Sequence, residues 1–281
     1  MAPLREVRFV KGHGTGNDFV IIPDLDGRLD LTDDDVRFLC DRRFGIGADG
    51  VLRVVRTEHV LPADDPMRAA DFFMDYRNAD GSFAEMCGNG ARVFVRYLDA
   101  TGLFTDEECV FATRGGLRTA TMNRDLSVTI DMGPAGLEQP TEVPHVRVGV
   151  HVWDAVPIHL PNPHAVVFVE DVAQAGDLHQ APVVEPPTAF PDGVNVEFVV
   201  QHEPGHIEMR VYERGVGETL SCGTGACAAA WASMHRDEAA SARSVVVDVP
   251  GGTVTVAETA EGHLLLTGPA DLVARGTVLL P

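Results

Sequence analysis

The 281-residue chain carries one reactive element twice. Met86-Cys87-Gly88-Asn89-Gly90-Ala91 and Ser221-Cys222-Gly223-Thr224-Gly225-Ala226 lie 135 residues apart, and each leads into a mostly apolar run of helical character. A cysteine at a helix start sits among unpaired amides and partial positive charge. This favours the thiolate and is expected to bring the pKa from about 8.5 toward neutrality. Gly88, Gly90, Gly223 and Gly225 would let a ligand approach the same amides, which suits each turn to a carboxylate. A carboxylate held by both turns, with one thiol on each side of the adjacent carbon, is a two-base racemase geometry. One thiolate removes the α-proton and the opposite thiol delivers a new one.

The elements that must position these turns are also duplicated. An apolar strand pattern precedes each cysteine (70–76 and 207–212), followed by a charged or amide step, Arg77-Asn78 or Glu213-Arg214. Further upstream, Thr15-Gly16-Asn17-Asp18 stands about as far from Cys87 as Leu160-Pro161-Asn162-Pro163-His164 does from Cys222. The chain reads as two diverged copies of one unit. Residues 91–98 and 226–234 are apolar on nearly every side, the mark of a buried helix, whereas Thr32 to Arg42 reads as a surface helix capped by Thr32. The rest is short strands between Gly, Asp and Asn breaks. An α+β fold of two pseudo-symmetric domains is expected, each a curled, mainly antiparallel sheet around a central buried helix, with the active site in the inter-domain cleft. The expected domains are 1–131 and 132–267, with a linker around Met132 to Gly136. The last strand, in about 268–281, is expected to return to the first domain. Pro182 to Pro191 reads as an extended surface loop.

Composition bounds the function. A net charge of −20 with a single lysine, Lys11, argues against nucleic acid and anionic membranes. No apolar run approaches the ~18 residues of a membrane span, and the first residues lack a signal core, so a cytoplasmic location is expected. Five scattered cysteines without a Cys-x-x-Cys pair suggest free thiols rather than a disulfide framework, and the absence of His-x-x-x-His pairing argues against zinc. Cys40, Cys109 and Cys227 read as packing thiols. Gly12-His13-Gly14-Thr15-Gly16 precedes a strand rather than a helix, so it is not read as a dinucleotide loop.

Several blocks together resemble the diaminopimelate epimerase family: Gly14 to Phe19, Arg43 to Asp49, Asn78 to Ser82, Met86 to Gly90, Asn162-Pro163-His164, Val194 to Glu197, and Tyr212 to Gly225. The resemblance runs from about residue 7 to the final strand. It implies a cofactor-free epimerase that interconverts LL- and meso-2,6-diaminoheptanedioate on the path to lysine and peptidoglycan. By that resemblance Cys87 and Cys222 are the acid and base, and His164 and Glu213 adjust their protonation. Gly88, Asn89, Gly223 and Thr224 would bind the carboxylate at the reacting centre. Asn17, Asn78, Asn162, Asn195, Glu213 and Arg214 would hold the distal amino-acid head. Residue chemistry agrees, since such a head needs a guanidinium or amides for its carboxylate and oxygen acceptors for its ammonium. Gly50 departs from members that have glutamine there, so a side-chain contact from that position is lost.

Alternatives remain open from the sequence. A proline or hydroxyproline racemase uses a similar thiol pair, but that family tends to have histidine where Asn89 stands. A phenazine-type isomerase has no need of Cys87. A silent amino-acid-binding protein, or a scaffold with a Cys87–Cys222 disulfide, belongs to another class. The expected partner is a small-molecule amino-acid substrate, with no metal and no cofactor; a homodimer and a monomer are both compatible with the sequence.

Overall fold

The computed structural model describes residues 4–137, 142–236 and 243–280. The outermost residues of the expected domain 1–131, together with Pro281, lie outside this set. The chain divides into two compact units, Met1–Ile130 with Pro269–Pro281, and Asp131–Gly268.

The first unit contains β1 (Arg5–Gly14), β2 (Asn17–Pro23), α1 (Asp33–Cys40), β3 (Gly50–Arg56) and β4 (Phe72–Asn78). Next come α2 (Gly88–Ala100), β5 (Glu108–Thr113), β6 (Gly116–Met122) and β7 (Val128–Pro134). The second holds β8 (Gly136–Leu137), β9 (His145–Val148), β10 (His151–Asp154), β11 (Val156–His159), β12 (Pro163–Phe168) and β13 (Val183–Glu185). It continues with β14 (Asn195–Glu203), β15 (His206–Glu213), β16 (Gly217–Thr219), α3 (Gly223–His235), β17 (Ser244–Val249), β18 (Gly252–Glu258) and β19 (His263–Gly268). The last strand, β20 (Asp271–Leu280), pairs antiparallel with β1 in the first unit.

Strand pairing reveals the duplication more fully than the sequence does. In the first unit the order is β20-β1-β2-β3-β4-β5-β6-β7, with parallel joins at β2/β3 and β4/β5 and antiparallel joins elsewhere. In the second it is β8-β11-β12-β14-β15-β17-β18-β19, with parallel joins at the equivalent places, β12/β14 and β15/β17. In each unit the helix bearing the Cys-Gly-x-Gly turn is the crossover of the second parallel join, as parallel strands require. β9, β10 and β13 form a small separate sheet.

Burial follows the hydrophobic pattern. α2 packs against β1, β2, β3, β4, β6 and β20, and α3 against β11, β12, β14, β15, β17, β18 and β19, so each helix is enclosed by its own unit's sheet. Ala226 to Ala230 have no exposed surface, and their small side chains let the sheet close tightly on α3. α2 differs by burying Arg92, which donates to the Thr15 hydroxyl at 3.1 Å and to the Pro269 carbonyl at 3.4 Å. α1 has the expected cap: Thr32 Oγ1 accepts from the Asp35 amide at 3.2 Å, and the Asp35 carboxylate accepts from the Thr32 amide at 2.9 Å.

Two local expectations change. The stretch read as a linker lies partly within a strand, since the change of unit falls between Ile130 and Asp131 inside β7 and β8 follows at once. Gly133 supports this with φ +80, a conformation glycine adopts without strain. The proline-rich stretch contains β13 and a short 3-10 turn, because Val183–Glu185 finds β9 as a partner.

Candidate active site

In the first unit Cys87 is the N-cap of α2, and its sulfur accepts from the Gly90 amide at 3.4 Å. The thiol faces Asn17 Oδ1 at 3.7 Å, and Asn89 Nδ2 donates to the same oxygen at 3.2 Å. Strand pairing explains this cluster. The parallel β2/β3 register sets Phe19 beside Gly50, so Asn17, Asp18 and Asp49 meet at one end of the two strands. Asp49 Oδ2 accepts from Asn17 Nδ2 at 2.7 Å, which turns the carbonyl end of Asn17 toward Cys87 and Asn89. Arg42 bridges Asp18 and Asp49 at 2.7 and 2.8 Å, and Lys11 pairs with Asp18 at 2.7 Å. Burial opposes ionisation of Asp18, yet the hydrogen bonds and charges of Arg42 and Lys11 outweigh it and hold the carboxyl far below its usual range. Asn78 ends β4 opposite Gly50 and is engaged with Ser82, donating its side-chain amide to the hydroxyl at 3.0 Å.

The second unit repeats the cap with a different surrounding. Cys222 is the N-cap of α3 and accepts from the Gly225 amide at 3.4 Å, with the Thr224 hydroxyl 3.5 Å from the sulfur. The parallel β12/β14 register aligns His164 with Asn195, and Glu197 follows two residues later on the same face of β14. His164 and Glu197 are both fully buried, with Nδ1 2.7 Å from Glu197 Oε1, while Nε2 lies 3.0 Å from Asn162 Oδ1. Asn195 Oδ1 accepts from the Arg214 amide at 2.8 Å, and the Arg214 guanidinium donates to the Asp192 carbonyl at 3.0 Å. Arg214 also lines a cavity of ≈ 410 Å³ with Pro182, Pro186, Phe190 and Tyr212.

The electrostatics of this second turn reverse one expectation. Burial pushes the Cys222 thiol well above its ordinary pKa, and the nearby Glu213 carboxylate adds to the effect. Glu213 is itself raised, first by burial; it accepts hydrogen bonds from the Thr219 hydroxyl and from Cys222. Glu197 is raised by burial, which the positive charge of His164 opposes. A helix start alone would lower the Cys222 pKa, but loss of water and two neighbouring carboxylates cost the thiolate more than one turn of amides returns. The packing thiols Cys40 and Cys109 are pushed up to about 12 by burial, and none of the five cysteines is in a disulfide.

Thus Asn17, Cys87 and Asn89 come together in one unit with Gly88 in the first turn of α2. In the other, Asn162 joins His164, Glu213 and Thr224 join Cys222 with Gly223 in the first turn of α3, and Asn195 joins Arg214. Asp49 and Glu197 have no role legible in the sequence alone. The signal for Glu197 was its spacing, since a residue two places after Asn195 on a strand shares that face. Among the described residues no group of His, Cys, Asp and Glu is arranged to hold a metal ion. No described helix is long and apolar enough to cross a membrane.

Solved structures share the fold. A hydroxyproline epimerase from Agrobacterium vitis superposes with a TM-score of 0.64 at 19% identity, over 98% of this chain and 93% of its own. A phenazine biosynthesis protein from Bacillus anthracis does so with 0.67 at 16% identity, over 98% and 99%. The fold is therefore one shared with a hydroxyproline epimerase and a phenazine biosynthesis protein. The sequence model of diaminopimelate epimerase matches residues 9–138 and 158–273. A diaminopimelate epimerase of Streptomyces coelicolor is 50% identical over 275 residues, covering 96% of this chain and 94% of that protein. One of Thermobifida fusca is 46% identical over 281 residues, covering 98% of each. The chain belongs to the diaminopimelate epimerase family of isomerases.

Proposed function

We propose that this protein is a cofactor-independent epimerase of the cytoplasm that interconverts LL- and meso-2,6-diaminoheptanedioate, feeding lysine and peptidoglycan synthesis. The observation that carries this reading is a thiol capping an enclosed helix in each of two units with the same strand pairing, within a chain of this family. The two units act as the N- and C-terminal epimerase domains. Cys87 and Cys222 are the two bases, and the reaction requires them to address opposite faces of one α-carbon.

The first-turn amides at Gly88 and Asn89, and at Gly223 and Thr224, bind the carboxylate of the reacting centre, where helix-start N–H groups favour the negative charge that grows as the proton leaves. In the resting protein Cys222 holds its proton, because burial and Glu213 disfavour its thiolate. It therefore serves first as the acid. Cys87, the less buried of the two thiols, serves first as the base. Reversal exchanges the roles. Glu213, in contact with the Cys222 thiol, and His164 adjust protonation, while Asn17, Asn78, Asn162, Asn195, Glu213 and Arg214 hold the distal amino-acid head.

Proton NMR in D2O tests the proposal. The α-proton signal of LL- or meso-diaminopimelate should disappear with the enzyme while that of proline persists. Exchange of proline alone would move the protein to the proline racemase reading, and exchange of neither would overturn epimerase function.

A further inference from the structure

Glu197 has no part in the proton-transfer scheme, yet it is fully buried beside the reactive turn of the second unit. Its Oε1 faces His164 Nδ1 at 2.7 Å, and its Oε2 has no hydrogen-bond partner. A carboxylate buried this deeply needs a counter-charge, and His164 supplies it. The other ring nitrogen, Nε2, lies 3.0 Å from Asn162 Oδ1, an atom that only accepts. Nε2 must therefore carry a hydrogen. That conclusion holds whether the proton shared between Nδ1 and Oε1 rests on the ring or on the carboxyl. Asn162 then spends its oxygen inward on His164 and keeps its two N–H bonds for whatever lies outside.

Resting on the proposed function, we infer that Glu197 is a positioning residue: acting through His164, it fixes the Asn162 amide so that its N–H end is offered to an anionic oxygen of the substrate. The first unit supplies the contrast. There Asp49 takes the N–H end of Asn17 directly and leaves the carbonyl facing Cys87 and Asn89. Two asparagines at equivalent places are thus turned opposite ways by an anion placed one step or two steps away. The other titratable groups facing the pair are Glu213 on β15 and Cys222 at the start of α3; Glu213 feels the charge of both His164 and Glu197.

Glu197→Gln removes the counter-charge and leaves the neutral ring one proton for two nitrogens. The Gln amide can accept from Nδ1–H or donate to a bare Nδ1, so the tautomer is no longer fixed by charge; in the Nδ1–H tautomer Nε2 is bare and Asn162 flips to donate to it, turning its carbonyl outward. The expected result is a KM for diaminopimelate raised about tenfold or more at pH 8, with a smaller change in kcat. A KM unchanged at pH 8, or a loss confined to kcat, overturns the inference. Because the variant could fail to fold, ¹⁵N NMR of His164 in the unsubstituted protein without substrate is the second measurement. A protonated Nε2 at pH 7.5 is expected, and a bare Nε2 overturns the inference. Neither outcome of that spectrum bears on whether the enzyme is an epimerase, which the α-proton exchange decides separately.

Discussion

The two helix starts share backbone and sequence but differ in what surrounds the sulfur. At α2 the thiol is partly accessible and meets amides: Gly90 N–H, and Asn17 Oδ1 shared with Asn89. At α3 the thiol is 6% exposed and meets acids, with Glu213 in contact and Glu197 close behind. The second glycine of each turn records the same difference. A Cβ on Gly90 would touch Leu52 at 3.3 Å and Phe19 and Cys87 at 3.5 Å, whereas one on Gly225 would stand 2.8 Å from Glu197 Oε1 and 3.4 Å from Cys222 Sγ. The two turns match in backbone, but the residues around Cys222 make that thiol reluctant to release its proton. The proposed two-base reaction calls for such a division, since one sulfur must accept a proton while the other holds one.

The strongest challenge to the comparison is removal of either sulfur. Cys87→Ala and Cys222→Ala should each lower epimerisation by about 10³-fold or more, because an acid and a base are both needed in either direction. Conversion of LL- to meso-substrate, followed by chiral separation, measures this. One variant that keeps near-normal turnover would show that a single thiol serves both faces.

Alkylation probes the resting charge states. With iodoacetamide and peptide mapping, Cys87 should be modified tens of times faster than Cys222 at pH 7. The Cys222 rate should climb roughly tenfold per pH unit above neutrality, since its raised pKa leaves only a small thiolate fraction there. A Cys222 rate already level near pH 7 would erase the distinction between the turns.

The paired glycine substitutions sharpen the steric side. Gly225→Ala should destabilise the protein by about 1–3 kcal/mol, because the methyl group displaces a carboxylate fixed by His164. Gly90→Ala should fall within about 1 kcal/mol of the parent, as the helical gain of alanine offsets a slight crowding against Leu52. Urea denaturation measures both, and equal costs would mean that Glu197 yields freely.

A modest effect, dependent on pH, is expected from the ion cluster behind Asn17. Asp18→Asn should cost about 1–2 kcal/mol at pH 7. The folded-state pKa of Asp18 is depressed, so its contribution is complete above the ordinary carboxylate pKa near 4 and fades as pH falls toward the lower folded value. The difference between variant and parent should therefore narrow under acid conditions. A gap that widens below pH 4 would mean that Asp18 acts otherwise than as a paired anion.

Much of this arrangement is legible in the residue order. The repeated Cys-Gly-x-Gly-Ala turn, the all-round apolar runs after it and the alternating strand segments are local signals, so the enclosed helices and the sulfur caps follow from residue order. The Asn17 and Asn162 blocks could be recognised for the same reason. Glu197 falls within the Val194 to Glu197 block, yet its role is not legible there, because nothing in its immediate neighbourhood says that its strand lies parallel to β12. That register is set by packing across 33 residues of sequence and places a carboxylate against His164.

By itself, then, the sequence determined where the two cysteine-capped turns lie, which helices are buried and that the unit occurs twice, since backbone capping and hydrophobic periodicity act within a few residues. Only the tertiary structure decided that the change of unit falls inside β7, that Asn17 and Asn162 are turned opposite ways, and that Cys222 is held protonated. These depend on burial and on charges brought together from distant strands. The free energy of an ionised group is governed by the water it loses and the charges it meets, and neither is written in the residues beside it.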